Sequence, residues 1–282
     1  MQAVFHGLAL RSRSTQGSGL DVAGFCNNYV MYPHYSFLPR TVAGLARDLI
    51  LSRRRSFRAD ALACVGRLKS SLRVFGEKNI PQTGPCVVTF NHYYREGFNA
   101  IWMAVAVAAT IPVEMHFVMT GELTYPGKWY APLGMFLSKI VLHRAARVYG
   151  FTTMPPMPPR PKDVEARAES VRKALEVARR EKNLILGLAP EGGDQPAGQL
   201  TMPAAGAGRF ALLLSALGMR FVPVGVFESD GALCLRFGAA YELTVPPRGL
   251  SADEKDQHAA RQMMMNIARL LPESLRGEFN HG

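Results

Sequence analysis

The sequence has 282 residues, of which 48% are hydrophobic and 20% charged, so it is long enough for an α/β domain with a large core and too apolar for a disordered chain. Its formal net charge of +11 indicates an anionic partner. The four cysteines are far apart and show no metal-ligand spacing, which argues against a disulfide framework and against a metal site.

The first 36 residues show no sustained period and are rich in Gly, Ser, Asn and Tyr, which predicts a loop-rich extension over residues 1–36. The first twenty residues lack a continuous apolar run and include Arg11 and Arg13, so no secretory signal is predicted. We therefore expect a cytoplasmic protein.

Residues 37–72 predict a pair of basic amphipathic helices, over 41–53 and 56–72, joined by three consecutive arginines. Two interpretations are open. In the first, the helices pack on the core and the arginines are solvated. In the second, the pair is a membrane anchor on the inner face of the membrane, where basic side chains contact anionic head groups. The candidate contact residues are Arg53, Arg54, Arg55 and Arg58.

A nucleic-acid partner is the third possibility for this basic segment, since residues 1–76 contain eleven basic and only three acidic residues. The segment has no aromatic platform for stacking bases and no known reading motif. We therefore expect no nucleic-acid partner.

From residue 73 to residue 282 the pattern is that of an α/β domain. Short apolar runs predict strands over 72–75, 86–90, 114–119, 184–188, 221–226 and 233–237. Helices are predicted over 98–109, 164–182 and 210–217, and a final helix begins at Ser251, with Glu254 at capping-box spacing. The apolar run 100–113 is too short to span a bilayer and predicts a buried helix. The alternation favours a mixed, largely parallel sheet flanked by helices.

Asn91 and His92 follow a predicted strand, and a helix is predicted soon after them, so His92 is expected at the carboxyl end of a strand and beside a helix N-terminus. Open α/β sheets bind ligands there. Glu96 is four residues further on, and in a helical turn its carboxylate would reach the imidazole and orient it as a general base. The alternative is that His92 is a structural hydrogen-bonding residue.

Two further landmarks follow predicted strands or lie in them. Pro190, Glu191, Gly192 and Gly193 come after the strand 184–188 and would share the sheet edge with His92 if both strands are parallel; the alternative is an ordinary strand-exit turn. Pro223 falls within a buried strand, where proline requires an edge position or an interrupted ladder.

Together these landmarks resemble the glycerolipid acyltransferase family, the lysophosphatidic acid acyltransferase-like enzymes. Residues 74–99, with Gly76, Pro81 and Asn91-His92, resemble its first block, Pro190-Glu191-Gly192 its third and Val222-Pro223-Val224 its fourth. The Gly/Ala-rich run 206–213 resembles the helix between the third and fourth blocks.

The resemblance implies transfer of a fatty acyl group from acyl-CoA or acyl carrier protein to a hydroxyl or amine of a lipid-like acceptor, without a metal or redox cofactor. It implies that His92 is the general base, paired with Glu96, with helix-end N–H groups stabilising the oxyanion, and it favours the membrane-anchor interpretation of the basic helices. The candidate substrate-binding residues are Asn91, Glu191, Gly192, Gly193, Arg147, Arg160 and Pro223.

The sequence departs from the family pattern at three places. The aspartate expected five residues after the histidine is Gly97, and the nearest carboxylate is Glu96. The arginine expected after Pro-Glu-Gly is replaced by an acid, Asp194, which would repel a phosphate. The second block, near 150–154, also lacks its arginine, and Arg147 and Arg160 are the nearest ones. We therefore hypothesise an acceptor other than a simple glycerol phosphate: a lysolipid, an amino-lipid, a sugar lipid or another alcohol.

The sequence leaves two alternatives to an active acyltransferase. The first is a degenerate member that binds lipid or thioester without turnover. The geometry around His92 would distinguish it from an active enzyme. The second is a dinucleotide site, because residues 206–211 formally match G-x-G-x-x-A. No clear strand precedes that match and no acidic ribose partner follows at the usual distance, so it is weak.

Overall fold

The computed structural model describes residues 32–68, 71–125, 127–194, 198–244 and 246–280. Most of the predicted extension 1–36 lies outside these ranges. Within them the chain forms a seven-stranded sheet with helices on both faces. The strands are β1 (Leu72–Phe75), β2 (Cys86–Phe90), β3 (His116–Thr120), β4 (Thr152–Met154), β5 (Ile185–Leu188), β6 (Arg220–Ser229) and β7 (Ala232–Phe237). The α-helices are α1 (Pro39–Leu51), α2 (Phe57–Val65), α3 (Ile101–Thr110), α4 (Ala131–Tyr149), α5 (Val164–Arg180), α6 (Ala207–Ser215) and α7 (Ala252–Ala268).

The strand order is β1-β7-β6-β2-β5-β3-β4, and every neighbouring pair is parallel except β6 and β7. The predicted mixed, largely parallel sheet is thereby confirmed. β2 pairs with β5 on one side and with β6 on the other, so the three strands that carry the sequence landmarks lie side by side at the centre of the sheet.

The central strand β2 is buried along its whole length, which explains its continuous apolar run. Its successive side chains enter two different hydrophobic clusters: Cys86, Val88 and Phe90 belong to one, and Val87 to the other. The first cluster includes α2 and α3, and the second includes α5 and α6. This alternation follows from the two-residue period of a strand and shows that both faces of the sheet are covered.

Several predicted elements are confirmed with shifted ends. The apolar run 100–113 forms the buried helix α3, with Trp102 at its core. The capping box of α7 is present, because Oγ of Ser251 accepts from the N–H of Glu254 and Oε2 of Glu254 accepts from the N–H of Ser251. The prediction missed α4 and β4. The apolar residues of α4 do not follow a single stripe, because two of its faces are apolar.

Proline in β6 is accommodated by an interrupted ladder, as expected. β7 pairs with β6 as far as Phe237 opposite Val224, and the next contact is an isolated bridge between Tyr241 and Phe221. Pro223 lies in the gap, where its carbonyl accepts a 2.9 Å hydrogen bond from the N–H of Gly238. Its missing N–H therefore leaves the antiparallel pairing intact on either side.

Candidate active site

The landmarks predicted to meet at one sheet edge do so. β2 ends at Phe90 and β5 at Leu188, and because the two strands are parallel neighbours, the segments that follow them lie together. The backbone N–H of His92 donates a 2.7 Å hydrogen bond to Oε2 of Glu191. The other oxygen, Oε1, accepts from the N–H of Thr201 at 3.3 Å. Glu191 thus connects its own turn with the segments that contain His92 and Thr201.

Glu191 is itself inside the protein, with 3% of its surface exposed. Burial raises the pKa of this carboxyl to about 7, while the two backbone N–H donors and His92 favour its charged form. Glu191 was predicted to bind substrate. The structure instead gives both its oxygens backbone partners, so it positions the loop of His92.

Asn91 is the second residue that positions this loop. It is buried, and its side-chain amide donates to the carbonyl of Val226 at 2.9 Å and accepts from the N–H of Val226 at 2.7 Å. The side-chain amide thus makes the pair of hydrogen bonds that a backbone peptide would make, and it extends the β2–β6 pairing one step beyond the end of β2. Asn91 therefore holds the backbone just before His92, and it does not line the groove described below.

His92 faces a carboxylate that the motif comparison does not assign. Nδ1 of His92 is shielded from solvent and lies 3.2 Å from Oδ1 of Asp194, although the contact lacks the angles of a good hydrogen bond. The side chain of His92 is 17% exposed and that of Asp194 is 55% exposed. With better alignment this contact would be a charge-assisted hydrogen bond.

Glu96 is not brought to His92. Residues 91–95 are not helical and α3 begins only at Ile101, so the i,i+4 geometry that would bring the two side chains together is absent. Glu96 is exposed, and Asp194 is the carboxylate within ion-pair distance of the imidazole among the described residues. The helix N-terminus expected beside His92 also lies further along the chain.

A buried ionic cluster holds the rest of this loop. Arg95 donates to both oxygens of Glu228, from Nε at 2.5 Å and from Nη2 at 3.0 Å. The hydroxyls of Tyr35 and Tyr93 donate to the same carboxylate at 2.6 Å and 3.0 Å, and burial raises the pKa of both tyrosines. The segment before α1 is thereby tied to the loop that carries His92, which the sequence pattern did not indicate.

His92 lies in the wall of a large apolar groove of about 1950 Å³, bounded by α1, α2, α3, β3, α4, α5 and the start of α6. Pro190 and Gly192 contribute to the same wall. Gly192 has a φ of +71°, and a Cβ there would lie 2.8 Å from Cγ of Met157, so glycine is required for both reasons. Gly193 follows in the same turn. Ligand sites of small molecules usually measure about 300–1,000 Å³, so this groove suits a long apolar ligand.

The arginines near the groove are already engaged. Arg160 lines it, but its guanidinium donates to Asp163 and, at 3.0 Å, to Oε1 of Glu122. Arg167 also lines it and donates to the carbonyls of Pro155 and Pro156. These contacts hold the proline-rich segment that connects β4 and α5.

Arg147 and Pro223, two further predicted substrate-binding residues, are not part of the groove lining. Arg147 is exposed on α4, and Pro223 lies within β6 next to Thr89 of β2. Neither side chain is brought to His92.

The four arginines expected to contact a membrane divide into two pairs. Arg53 and Arg54 are exposed. Arg55 donates from Nε and Nη2 to Asp60 at 2.5 Å and from Nη1 to Asp48 at 2.9 Å, and Nε of Arg58 donates to the carbonyl of Ile111 at 2.8 Å. The expectation for Arg55 and Arg58 is therefore wrong, because buried carboxylates and a helix-end carbonyl satisfy them inside the protein.

The weak dinucleotide motif has a structural explanation. The carboxylate of Asp256 accepts from the N–H groups of Gly206 and Arg209 at the start of α6, where a pyrophosphate would have to bind. A Cβ at Gly208 would lie 1.9 Å from the carbonyl oxygen of Asp256, so this glycine allows α6 to pack against α7.

The described ranges contain no group of three or more His, Cys, Asp or Glu side chains placed to hold a metal ion.

Asp194 is a functional candidate that the motif comparison interpreted only as a residue opposing a phosphate; the structure also brings it next to the imidazole of His92. Its signal was present in the sequence, because it lies three residues after Glu191 on a loop expected at the same sheet edge as His92.

None of the helices described by the structure has the length and apolar character needed to cross a bilayer.

Comparison with known proteins places the site in a family. The acyltransferase family model matches residues 71–227, more than half of the chain, and the match includes His92, Glu191 and Asp194. The crystal structure of the 1-acyl-sn-glycerophosphate (LPA) acyltransferase PlsC from Thermotoga maritima is similar over 83% of this chain and 84% of its own, with 14% identity and a TM-score of 0.44. No curated protein is significantly similar in sequence. The chain therefore belongs to the acyltransferase family, as its resemblance to the glycerolipid acyltransferases implies.

Proposed function

We propose that this acyltransferase moves a fatty acyl group from a thioester, acyl-CoA or acyl carrier protein, to a hydroxyl or amine of a lipid-like acceptor, with His92 as general base. The observation that carries the proposal is the position of His92 in the wall of a large apolar groove, with a carboxylate 3.2 Å from its Nδ1. The groove suits a fatty chain, and the imidazole suits proton transfer at its polar end.

In the proposed reaction, Nε2 of His92 takes the proton of the acceptor O–H or N–H as that atom attacks the thioester carbonyl. The new acyl–oxygen or acyl–nitrogen bond forms, and the carbon–sulfur bond then breaks as the tetrahedral intermediate collapses. The imidazolium returns its proton to the leaving thiolate. Atoms and charges balance without an acyl-enzyme, and His92 ends each cycle neutral.

Asp194 is proposed as the positioning residue for His92. A proton on Nδ1 would face its carboxylate, which leaves Nε2 as the basic nitrogen and stabilises the imidazolium that forms. Catalytic hydrogen bonds are often long or poorly aligned before substrate binds, which accounts for the imperfect geometry of this contact. In this chain the carboxylate thus comes from the loop after β5, whereas the family pattern supplies it from the loop after β2.

We further propose that the acceptor carries no phosphate next to its nucleophile. Asp194 beside His92 would repel such a group, and Arg160 is neutralised by Glu122 and Asp163. Neutral and amine-bearing lipids avoid this repulsion. A lysolipid with a distant head-group phosphate also remains compatible with it.

We place the reaction at an anionic membrane surface, with the protein peripheral on the cytoplasmic face. The supporting observation is the net charge of +11, since cytoplasmic leaflets are negatively charged and attract basic segments.

The test is thiol release from a panel of acyl-CoAs and from loaded acyl carrier protein, with and without a polar-lipid extract. Three proteins are compared: wild type, His92→Ala and the matched histidine control His258→Ala, in which the altered side chain is on α7. We expect acceptor-dependent release by wild type and His258→Ala, and a loss of about 100-fold or more in His92→Ala.

Fractions of the extract that support release would identify the acceptor. Faster transfer to lysophosphatidic acid than to neutral or amine acceptors would contradict the proposed acceptor class. Absence of release from every donor, with acyl-CoA or lipid still bound, would instead establish the degenerate, non-catalytic member of the family.

A further inference from the structure

Helix α4 has two apolar faces, and the described residues leave one of them uncovered. One face, with Gly134, Leu137, Val141 and Ala145, lines the groove. The adjacent face is a stripe at helical spacing that begins just before the helix, and its side chains do not line the groove. We call it the α4 stripe: it consists of Trp129, Leu133, Phe136 and Ile140, exposed by 92%, 61%, 62% and 39%.

Large apolar side chains exposed side by side mark an interaction surface. A free helix that only closes the groove would carry polar residues on its outer face. The chain has two tryptophans: Trp102 is buried in the core, and Trp129 is exposed. Among the described residues, the one ring that the exposed tryptophan contacts is that of its chain neighbour Tyr130, with centroids 5.8 Å apart, and 92% of its surface remains exposed.

The charge of α4 indicates what the stripe contacts. The helix contains Lys139, Arg144 and Arg147, all exposed and without an ion-pair partner among the described residues, and it contains no Asp or Glu. The guanidinium of exposed Arg54 lies against Gly150 at the end of the same helix. An apolar stripe next to unpaired basic side chains complements a bilayer that contains anionic lipids.

The stripe is also continuous with the mouth of the groove. Tyr130 and Leu137 both line the groove and remain 39% and 50% exposed, so the groove opens beside the stripe. A lipid could pass from a bilayer at this surface into the groove without its apolar chain crossing water.

We propose that the α4 stripe docks into the boundary between head groups and acyl chains of an anionic bilayer, and that lipid substrate enters the groove from this side. The choice of substrate rests on the proposed function, whereas the docking does not. A second copy of the chain is the competing occupant. A symmetric contact through α4 would bring its unpaired cations together, which favours the bilayer.

Docking is measured by flotation of the protein with vesicles of phosphatidylglycerol and phosphatidylcholine, at low and high salt. The variant Phe136→Glu is compared with Phe75→Glu, a matched change at an exposed position on β1, at the opposite end of the sheet order. We expect about tenfold or greater loss of binding in Phe136→Glu and wild-type binding in Phe75→Glu.

Tryptophan fluorescence gives an independent readout. Vesicles should shift the emission of wild type to shorter wavelength, because Trp129 leaves water, and the shift should disappear in Trp129→Phe while binding persists. Turnover of a short-chain thioester with a water-soluble acceptor should be unchanged in Phe136→Glu, which shows that the variant is folded.

Wild-type vesicle binding by Phe136→Glu, or no spectral shift in wild type, would overturn the proposal. A dimer in solution that Phe136→Glu dissociates, without vesicle binding by wild type, would assign the stripe to a second copy. Vesicle binding and spectral shift without any acyl transfer would retain the docking surface and refute the proposed function.

Discussion

The backbone N–H of His92 donates to the buried carboxyl of Glu191 at 2.7 Å, so the loops after two neighbouring parallel strands are joined beneath the candidate base. The side chain of Glu191 therefore supports the site from below, while Asp194 on the same loop faces the imidazole. One short segment supplies both carboxylates, one buried and one partly exposed.

The burial of Glu191 predicts that stability falls as pH rises through neutrality. Its pKa is raised from 4.5 to about 7 in the folded protein, so the folded state holds a proton that the unfolded state has already lost. The contribution of this proton is fully present below about pH 4.5 and is lost as pH rises through about 7. It amounts to roughly 3 kcal/mol.

Urea unfolding of wild type and Glu191→Gln at a series of pH values between 5 and 8 measures this term. We expect the free energy of unfolding to decline less steeply with pH in Glu191→Gln, because the glutamine does not ionise. Parallel pH profiles for the two proteins would show that the carboxyl is ionised throughout.

Removing the carboxylate of Asp194 should slow turnover without altering the fold. For Asp194→Asn we expect kcat to fall by roughly 10- to 100-fold, because the imidazolium that forms during turnover loses its stabilising charge. Glu96→Gln is the matched control, with kcat within about twofold of wild type. The opposite ranking of the two variants would assign the pairing to Glu96.

Asn91 is predicted to be a determinant of stability. Asn91→Ala leaves both the N–H and the carbonyl of Val226 without their side-chain partner in a buried setting, at a cost of about 2–4 kcal/mol. Asn79→Ala removes a single hydrogen bond, to the carbonyl of Phe237, and should cost about 1 kcal/mol. Chemical unfolding measures both, and equal losses would contradict the bridging role of Asn91.

The two classes of arginine in the basic segment should differ in thermal unfolding. Arg55→Ala deprives Asp48 and Asp60 of their shared partner, so the Tm should fall by about 5 °C or more. Arg53→Ala alters an exposed side chain and should change the Tm by about 1 °C at most. If Arg55→Ala unfolds at the wild-type temperature, the internal role given to this arginine is wrong.

The strands of the sheet could be predicted because the apolar pattern of each strand lies within its own few residues. A run such as Cys86–Phe90, apolar at every position, is characteristic of a strand covered on both faces, and its burial in the structure agrees. The same local reasoning missed α4, whose groove-lining and exposed faces are both apolar and therefore give no clear helical stripe. It also assigned Arg55 to a membrane, because its partners Asp48 and Asp60 become visible only when α1 and α2 pack together.

Local sequence patterns predict the alternation of strands and helices and the position of His92 just beyond a buried strand. With the parallel pairing that they imply, they also predict that His92 meets the Pro-Glu-Gly loop. Three features could not be predicted in this way: Asp194 rather than Glu96 faces the imidazole, Arg160 is neutralised, and α4 exposes a second apolar face. These features depend on contacts between residues far apart in the chain, and a loop without a repeating period gives no local signal of where its side chains point.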